Sequence, residues 1–240
     1  MAPHKLVIFD VDGTLVWSYQ LEGDCFVAAF DDALGITGID RDWARYDHVT
    51  DPGIAAQIIR ERKGREPRAG ELARLQAAFR VRLAEAAGRD GAFAAIHGAA
   101  RLIAALRARA DWALALATGA WREAALFKIG RSGLDVHGLP AAYGEDGPSR
   151  QGIVSAAIAR ARAQARAQAG VDEFGHIVCV GDGVWDVQTA TSLGLPCIGI
   201  GTGEQAARLA AAGAAQVVAD YTDLEAILNA LEDAAAAVSG

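Results

Sequence analysis

The stretch LVIFDVDGT at residues 6–14 constrains the fold of this chain more than any other. Its four leading apolar residues predict a strand that is buried on both faces, as in a parallel sheet. Two carboxylates, Asp10 and Asp12, follow directly and precede a turn. Like charges at this spacing repel each other unless a cation neutralises them, and carboxylate oxygens suit a hard divalent cation. The alternative interpretation is an ordinary Asp-Gly turn without chemistry.

The next 80 residues or so, 16–95, have helical character and no convincing strand. Ser18 is a candidate cap for a helix that runs to about Leu34, and Asp51-Pro52 is typical of the first turn of a second helix. A third helix is indicated by apolar residues at spacings of three and four, namely Leu72, Leu75, Phe79 and Leu83. We interpret this stretch as a helical module inserted after the first strand.

From residue 97 onward, short apolar runs alternate with helical segments. This alternation predicts an α/β fold, a Rossmann-like parallel sheet with helices on both faces and a small inserted helical cap domain. The predicted core comprises residues 1–15 and 96–240, and the predicted cap comprises residues 16–95. The further predicted strands are Trp112–Ala117, Leu139–Tyr143, His176–Val180, Pro196–Ile200 and Gln216–Val218.

Composition narrows the class of protein. The net charge of -7 argues against a nucleic-acid partner, because no basic surface dominates. The three cysteines lack metal-ligand spacing and suit a reducing compartment. No apolar run reaches membrane-spanning length. We therefore expect a cytoplasmic protein without membrane contact, and the sequence leaves its oligomeric state open.

Polar residues follow the predicted strands at the edge where parallel strands end. Asp10 and Asp12 follow the first strand, Thr118 and Gly119 the second, and Asp182 and Asp186 the strand at 176–180; Arg150 begins the preceding helix. Active sites in such sheets form at the carboxyl ends of strands. We therefore expect these side chains to converge on one site.

The ordered set of motifs resembles that of the haloacid dehalogenase superfamily of phosphohydrolases, in particular its phosphoglycolate-phosphatase-like members. The first motif matches DVDGT at 10–14, the second matches Thr118-Gly119, and the fourth matches GDGVWD at 181–186. The similarity spans essentially the whole chain, and the helical insert stands where this family carries a helical cap.

The resemblance implies a role for each motif residue. Asp10 would be the nucleophile that forms an aspartyl-phosphate, and Asp12 the general acid and base. Asp10, the backbone carbonyl of Asp12, and Asp182 would hold Mg²⁺, with Asp186 as a further acid. Thr118 and the Gly119 amide would bind phosphoryl oxygens. Asp12 also favours phosphate esters over halides or phosphonates, because an ester leaving group needs a proton.

The third motif, usually a lysine, is where this sequence departs from the family. Arg150 stands in the expected place, at the first turn of the helix before the 176–180 strand, and we assign it the catalytic cation role. The alternative is Lys128, late in the helix after Thr118, which would otherwise be a solvated helix residue.

The remaining expectations concern the substrate. Thr50 and Asp51 form either a helix N-cap or a turn that faces the site and contacts substrate. The resemblance implies a Mg²⁺-dependent phosphatase that acts on a small phosphorylated metabolite, such as a phosphoglycolate-like or sugar-phosphate ester. The alternatives are a phosphomutase of the same family and a non-catalytic phosphate-binding protein. The sequence does not identify the substrate.

Overall fold

The computed structural model describes residues 3–236 and contains a six-stranded parallel sheet in the order β3-β2-β1-β4-β5-β6. Residues 1–2 and 237–240 of the predicted core lie outside the described part. The strands are β1 Lys5–Phe9, β2 Trp112–Ala117, β3 Ala141–Ala142, β4 His176–Gly181, β5 Cys197–Ile200 and β6 Gln216–Val218.

Helices connect the strands, and two short 3-10 turns lie at Trp43–Arg45 and Gly144–Asp146. The helices of the described part are α1 Tyr19–Leu34, α2 Asp51–Lys63, α3 Glu71–Ala86, α4 Ala99–Arg107, α5 Arg122–Ser132, α6 Arg150–Ala169, α7 Val184–Ser192, α8 Gly203–Ala211 and α9 Leu224–Ala236. None of these helices, within residues 3–236, combines the length and apolar character that a bilayer span requires. The predicted α/β class is confirmed.

The sheet is covered on both faces, as the uninterrupted apolar run of β1 predicts. Leu6 and Ile8 belong to a buried cluster with Ile153 of α6. Val7 and Phe9, on the opposite face, belong to a second cluster that includes residues of α4 and α9 and extends into the helical insert. Burial of alternate residues on both sides fixes the register of the central strand.

The helical insert leaves and rejoins the core at one place. Val16 and Ala95 form an isolated antiparallel bridge. Beside it, the Trp17 amide donates to the Ala94 carbonyl at 2.7 Å, and the Ile96 amide donates to the Leu15 carbonyl at 2.9 Å. The two connections therefore run side by side, and α1, α2 and α3 lie between them in sequence.

Candidate active site

Three adjacent strands bring the predicted site residues to one edge of the sheet. β1 pairs with β2 on one side and with β4 on the other, and Phe9 is level with both Leu116 and Val180. The residues that follow these strands are therefore neighbours in space. This register places Asp10, Thr118 and Asp182 together, as the sequence predicted.

Three of the acids form a compact buried cluster. Carboxylate oxygens of Asp10, Asp182 and Asp186 all lie within 4.8 Å of one another. Thr14 Oγ1 donates to Asp182 Oδ1 at 3.4 Å, and Gln205 Nε2 donates to Asp182 Oδ2 at 3.3 Å. Gln205 was not predicted from the sequence, since it lies on α8, after a strand without an acidic motif.

Crowding and burial raise the pKa values of Asp10 and Asp182. Burial, with the nearby Asp186 carboxylate adding to it, raises the pKa of Asp10 to about 8. Burial and the charges of Asp10 and Asp186 raise the pKa of Asp182 well above its usual range. Three buried carboxylates this close together are a donor set that fits a hard divalent cation. Asp12 is not part of this carboxylate set.

Arg150 lies at the first turn of α6 and contacts the nucleophile candidate. Its Nη2 lies 3.1 Å from Asp10 Oδ1 and also contacts Asp186 Oδ1. Its Nη1 donates to the backbone carbonyl of Val49 at 3.1 Å. The guanidinium thus bridges two carboxylates through one nitrogen and reaches the insert through the other.

Gly119 lies under the insert at the end of β2. A Cβ at this position would lie 2.7 Å from both Arg150 Nη1 and the Val49 carbonyl oxygen. The Asp51 amide donates to the Gly119 carbonyl at 2.8 Å. Only glycine fits this close approach of three chain segments. Beside it, Thr118 Oγ1 accepts from the Ala120 amide at 3.2 Å.

Thr50 and Asp51 form the N-cap and the first turn of α2, which is the first of the two sequence interpretations. Thr50 Oγ1 accepts from the Gly53 amide at 3.1 Å, which is the N-cap of α2. Asp51 Oδ2 accepts from the Trp121 amide at 2.8 Å, so the turn also lies against the segment that follows β2. Burial raises the pKa of Asp51 to about 7, against the opposing effect of nearby Lys128.

Lys128 is not a solvated helix residue, and that expectation was wrong. Its side chain is fully buried; Nζ lies 2.6 Å from Asp12 Oδ1 and also contacts Glu22 Oε1. Burial alone lowers the pKa of Lys128, but the carboxylates of Asp12 and Glu22 raise it above its ordinary value, so the side chain stays charged. Glu22 lies 106 residues away in sequence, on α1. No local pattern reveals a partner that only the tertiary fold supplies.

Ser18 differs from its predicted role. No side-chain hydrogen bond from Ser18 caps α1. Its Oγ donates to Asp12 Oδ1 at 2.6 Å instead. Asp12 therefore accepts two contacts on one oxygen, from Ser18 and from Lys128.

A cavity of about 100 Å³ opens beside these groups, between the carboxyl-end edge of the sheet and the insert. Asp10, Asp12, Thr118, Gly119 and Arg150 line its floor. The insert contributes two acids and several apolar side chains, among them Glu22, Phe26, Trp43, Asp51 and Ile54. All predicted substrate-binding residues thus face, or lie beside, one cavity.

The sequence was compared with family models and with curated protein sequences. The family model for haloacid dehalogenase-like hydrolases matches residues 4–194. No curated protein sequence gives a match.

Solved structures share the fold over nearly the whole chain. A hydrolase from Pseudomonas syringae aligns with a TM-score of 0.67 at 19% identity and covers 93% of this chain and 97% of its own. A putative beta-phosphoglucomutase from Bacteroides vulgatus gives 0.67 at 15% identity, over 97% and 90%. A predicted phosphoglycolate phosphatase from Haemophilus somnus gives 0.63 at 17% identity, over 95% and 99%. At these identities the similarity shows the fold alone.

Proposed function

The chain belongs to the haloacid dehalogenase-like hydrolase family, and from this premise we propose that it is a Mg²⁺-dependent phosphatase of small phosphorylated metabolites. The observation that carries the proposal is the division between the two acids after β1. Asp10 contacts Arg150 and belongs to the buried acid cluster, whereas Asp12 contacts Lys128 and Ser18. Both line one cavity. The pair supplies a nucleophile and a separate proton donor for a phosphate ester.

Mg²⁺ would be held by the carboxylates of Asp10, Asp182 and Asp186, with the backbone carbonyl of Asp12 as a further ligand. The three buried carboxylates fit such an ion in charge and in spacing. When bound, it offsets the repulsion between an anionic nucleophile and an anionic phosphate.

In the first step, a carboxylate oxygen of Asp10 attacks phosphorus and forms the aspartyl-phosphate. The bond from phosphorus to the leaving oxygen breaks, the electron pair stays on that oxygen, and a proton from Asp12 converts it to an alcohol. Arg150, Thr118 and the Gly119 amide would neutralise and orient the phosphoryl oxygens. Arg150 already contacts Asp10, which places its charge where nucleophile and phosphate meet.

In the second step, the Asp12 carboxylate takes a proton from water as the water oxygen attacks phosphorus. The bond between phosphorus and Asp10 breaks, and inorganic phosphate is released. Asp12 is then protonated and ready for another ester.

We propose further that residues 16–95 form a cap domain that controls access to this cavity. The paired connections at Val16 and Ala95 support a hinge at that place. Thr50 and Asp51 then contribute contacts to the bound substrate from the cap side. The small cavity favours metabolites over macromolecular substrates. The three buried free cysteines of the described chain support a reducing, cytoplasmic location.

The test is release of inorganic phosphate from para-nitrophenyl phosphate, with Mg²⁺ and with chelator, followed by a panel of phosphorylated metabolites. Mg²⁺-dependent turnover is the expected result. A protein that becomes phosphorylated without turning over would instead be the phosphomutase of the alternative hypothesis. A protein that binds phosphate but does neither would be a non-catalytic binding protein, and the proposal would be wrong.

A further inference from the structure

Lys128 is a buried cation whose partners come from two separate parts of the chain. Its side chain is fully buried; its Nζ lies 2.6 Å from Asp12 Oδ1 and also contacts Glu22 Oε1. Burying an ammonium group is unfavourable unless charges and hydrogen bonds compensate it. Two carboxylates do so here, one from the loop after β1 and one from α1 of the insert.

The contacts of Lys128 fix one oxygen of Asp12 and leave the other available. Oδ1 lies 2.6 Å from Lys128 Nζ and accepts from Ser18 Oγ at 2.6 Å. Both of these contacts are to Oδ1, so Lys128 and Ser18 leave Oδ2 unoccupied. Since Asp12 lines the cavity, the carboxyl group is held at one oxygen while the other can meet a substrate. A proton donor is effective only when its reactive oxygen is held within reach of the leaving group.

Arg150 and Lys128 are therefore not two candidates for one role. Arg150 contacts Asp10 and Asp186, whereas Lys128 contacts Asp12 and Glu22. The two cations serve different acids on the same edge of the sheet.

We propose that Lys128 is the positioning residue of Asp12, holding it for proton donation to the leaving oxygen and neutralising the carboxylate that remains. This inference rests on the proposed phosphatase function. In the step itself, the Asp12 proton moves to the leaving oxygen as the ester bond breaks, while Lys128 keeps its own protons and its contact with Oδ1. Glu22 in turn holds Lys128 from the side of the insert.

The experiment uses the dependence of rate on the leaving group. Para-nitrophenolate leaves without a proton, whereas an alkoxide needs one. The value of kcat/KM reports phosphoryl transfer to Asp10. Comparing kcat/KM for the two kinds of leaving group therefore shows whether a variant has lost proton donation. We expect Lys128→Met to lower kcat/KM for 2-aminoethyl phosphate by about 100-fold or more, the scale of general acid catalysis. For para-nitrophenyl phosphate the decrease should stay within roughly fivefold, since the step then needs no acid.

Two further variants make the result interpretable. Lys63→Met is the matched control, because Lys63 pairs with Glu71 at 3.2 Å within the insert and away from the cavity; both substrates should keep wild-type kcat/KM. The double variant Lys128→Met with Glu22→Gln removes both members of the buried pair and so avoids an uncompensated Glu22 charge. The double variant should show the same selective loss of kcat/KM for 2-aminoethyl phosphate. It replaces the single variant in the test if the single variant does not fold.

Equal losses for both substrates would mean a purely structural role and would overturn the proposal, as would no loss for either. A wild-type protein that hydrolyses neither compound with Mg²⁺ would overturn the phosphatase function itself, and this inference with it.

Discussion

At Arg150, one guanidinium nitrogen contacts both Asp10 and Asp186, and the other reaches the Val49 carbonyl. The guanidinium is thereby held in one orientation beside Asp10 before any substrate arrives. A preorganised charge of this kind acts on the phosphoryl group without reorganisation during the reaction.

Replacing Arg150 should therefore impair the chemistry more than the fold. We expect Arg150→Ala to lower turnover of para-nitrophenyl phosphate by roughly tenfold to a thousandfold at saturating Mg²⁺. Arg150→Lys should recover part of the loss, since the charge survives but the planar fork does not. Steady-state kinetics of the variants measures this.

The matched control lies on the same helix. Arg160→Ala removes an arginine that pairs with Asp146 at 2.6 Å on a half-exposed face of α6. It should leave turnover near the wild-type value. An Arg150→Ala variant as active as Arg160→Ala would remove Arg150 from the catalytic site.

At the scale of elements, the N-terminus of α2 joins the insert to the carboxyl-end edge of the sheet. The Asp51 amide and carboxylate bond to Gly119 and Trp121, which follow β2. The Asp51 carboxyl is buried, and burial raises its pKa to about 7. This helix terminus therefore contains a titratable group whose ionisation opposes folding.

Asp51→Asn should change the pH dependence of stability. In the unfolded chain Asp51 ionises near pH 4, but in the folded protein it keeps its proton until about pH 7, so its contribution to stability is lost as pH rises between these values. Asparagine does not titrate and can still accept the Trp121 hydrogen bond. We expect the Tm of the variant, relative to wild type, to rise by roughly 2–5 °C from pH 5 to pH 8.

Thermal unfolding without metal, followed by circular dichroism, measures this difference. Asp172→Asn is a suitable control, because Asp172 is exposed and pairs with Arg166 at 3.2 Å. A Tm difference between Asp51→Asn and wild type that is the same at pH 5 and pH 8 would show that Asp51 ionises normally in the folded protein.

At the scale of the whole molecule, the cavity between insert and sheet has an uneven charge distribution. Arg150 is the basic residue among the described residues that line it, and it lies on the floor with the acids of the sheet edge. The insert contributes Glu22 and Asp51 beside apolar walls. Lys128 compensates the charge of Glu22, but Asp51 is ionised above about pH 7. A leaving group with a second negative charge then meets like charge there, whereas an ammonium or hydroxyl group does not.

The cavity should therefore discriminate by the charge of the leaving group. Phosphoglycolate and 2-aminoethyl phosphate are similar in size but carry a carboxylate and an ammonium group, respectively. At pH 8, where Asp51 is ionised, we expect kcat/KM to be at least about tenfold higher for the amine, the scale of one like-charge contact at a partly buried site. Asp51→Asn should bring the kcat/KM values of the two substrates closer together. A preference for phosphoglycolate would show that a cation reaches the cavity when substrate binds.

The parallel sheet could be predicted from the sequence because each strand is marked by a local apolar run. The double-sided apolar run before Asp10 predicts a central parallel strand, and the carboxyl-end rule then gathers Thr118, Asp182 and Arg150 at its edge. The contacts of Lys128 with Glu22 and of Gln205 with Asp182 could not be predicted in this way. Each joins segments whose relative placement depends on how the insert and the last strands pack, and helical periodicity carries no information about that placement.

Turnover by Asp10→Asn tests most directly whether Asp10 is the covalent nucleophile. Asparagine is nearly isosteric with aspartate and relieves the crowding of the buried acid cluster, so the variant should fold at least as well as wild type in thermal unfolding. Its amide cannot attack phosphorus as an anion. We predict that turnover of para-nitrophenyl phosphate with Mg²⁺ falls by several powers of ten, the scale of losing an essential nucleophile. A folded Asp10→Asn protein that keeps more than about a hundredth of wild-type activity would contradict the covalent mechanism.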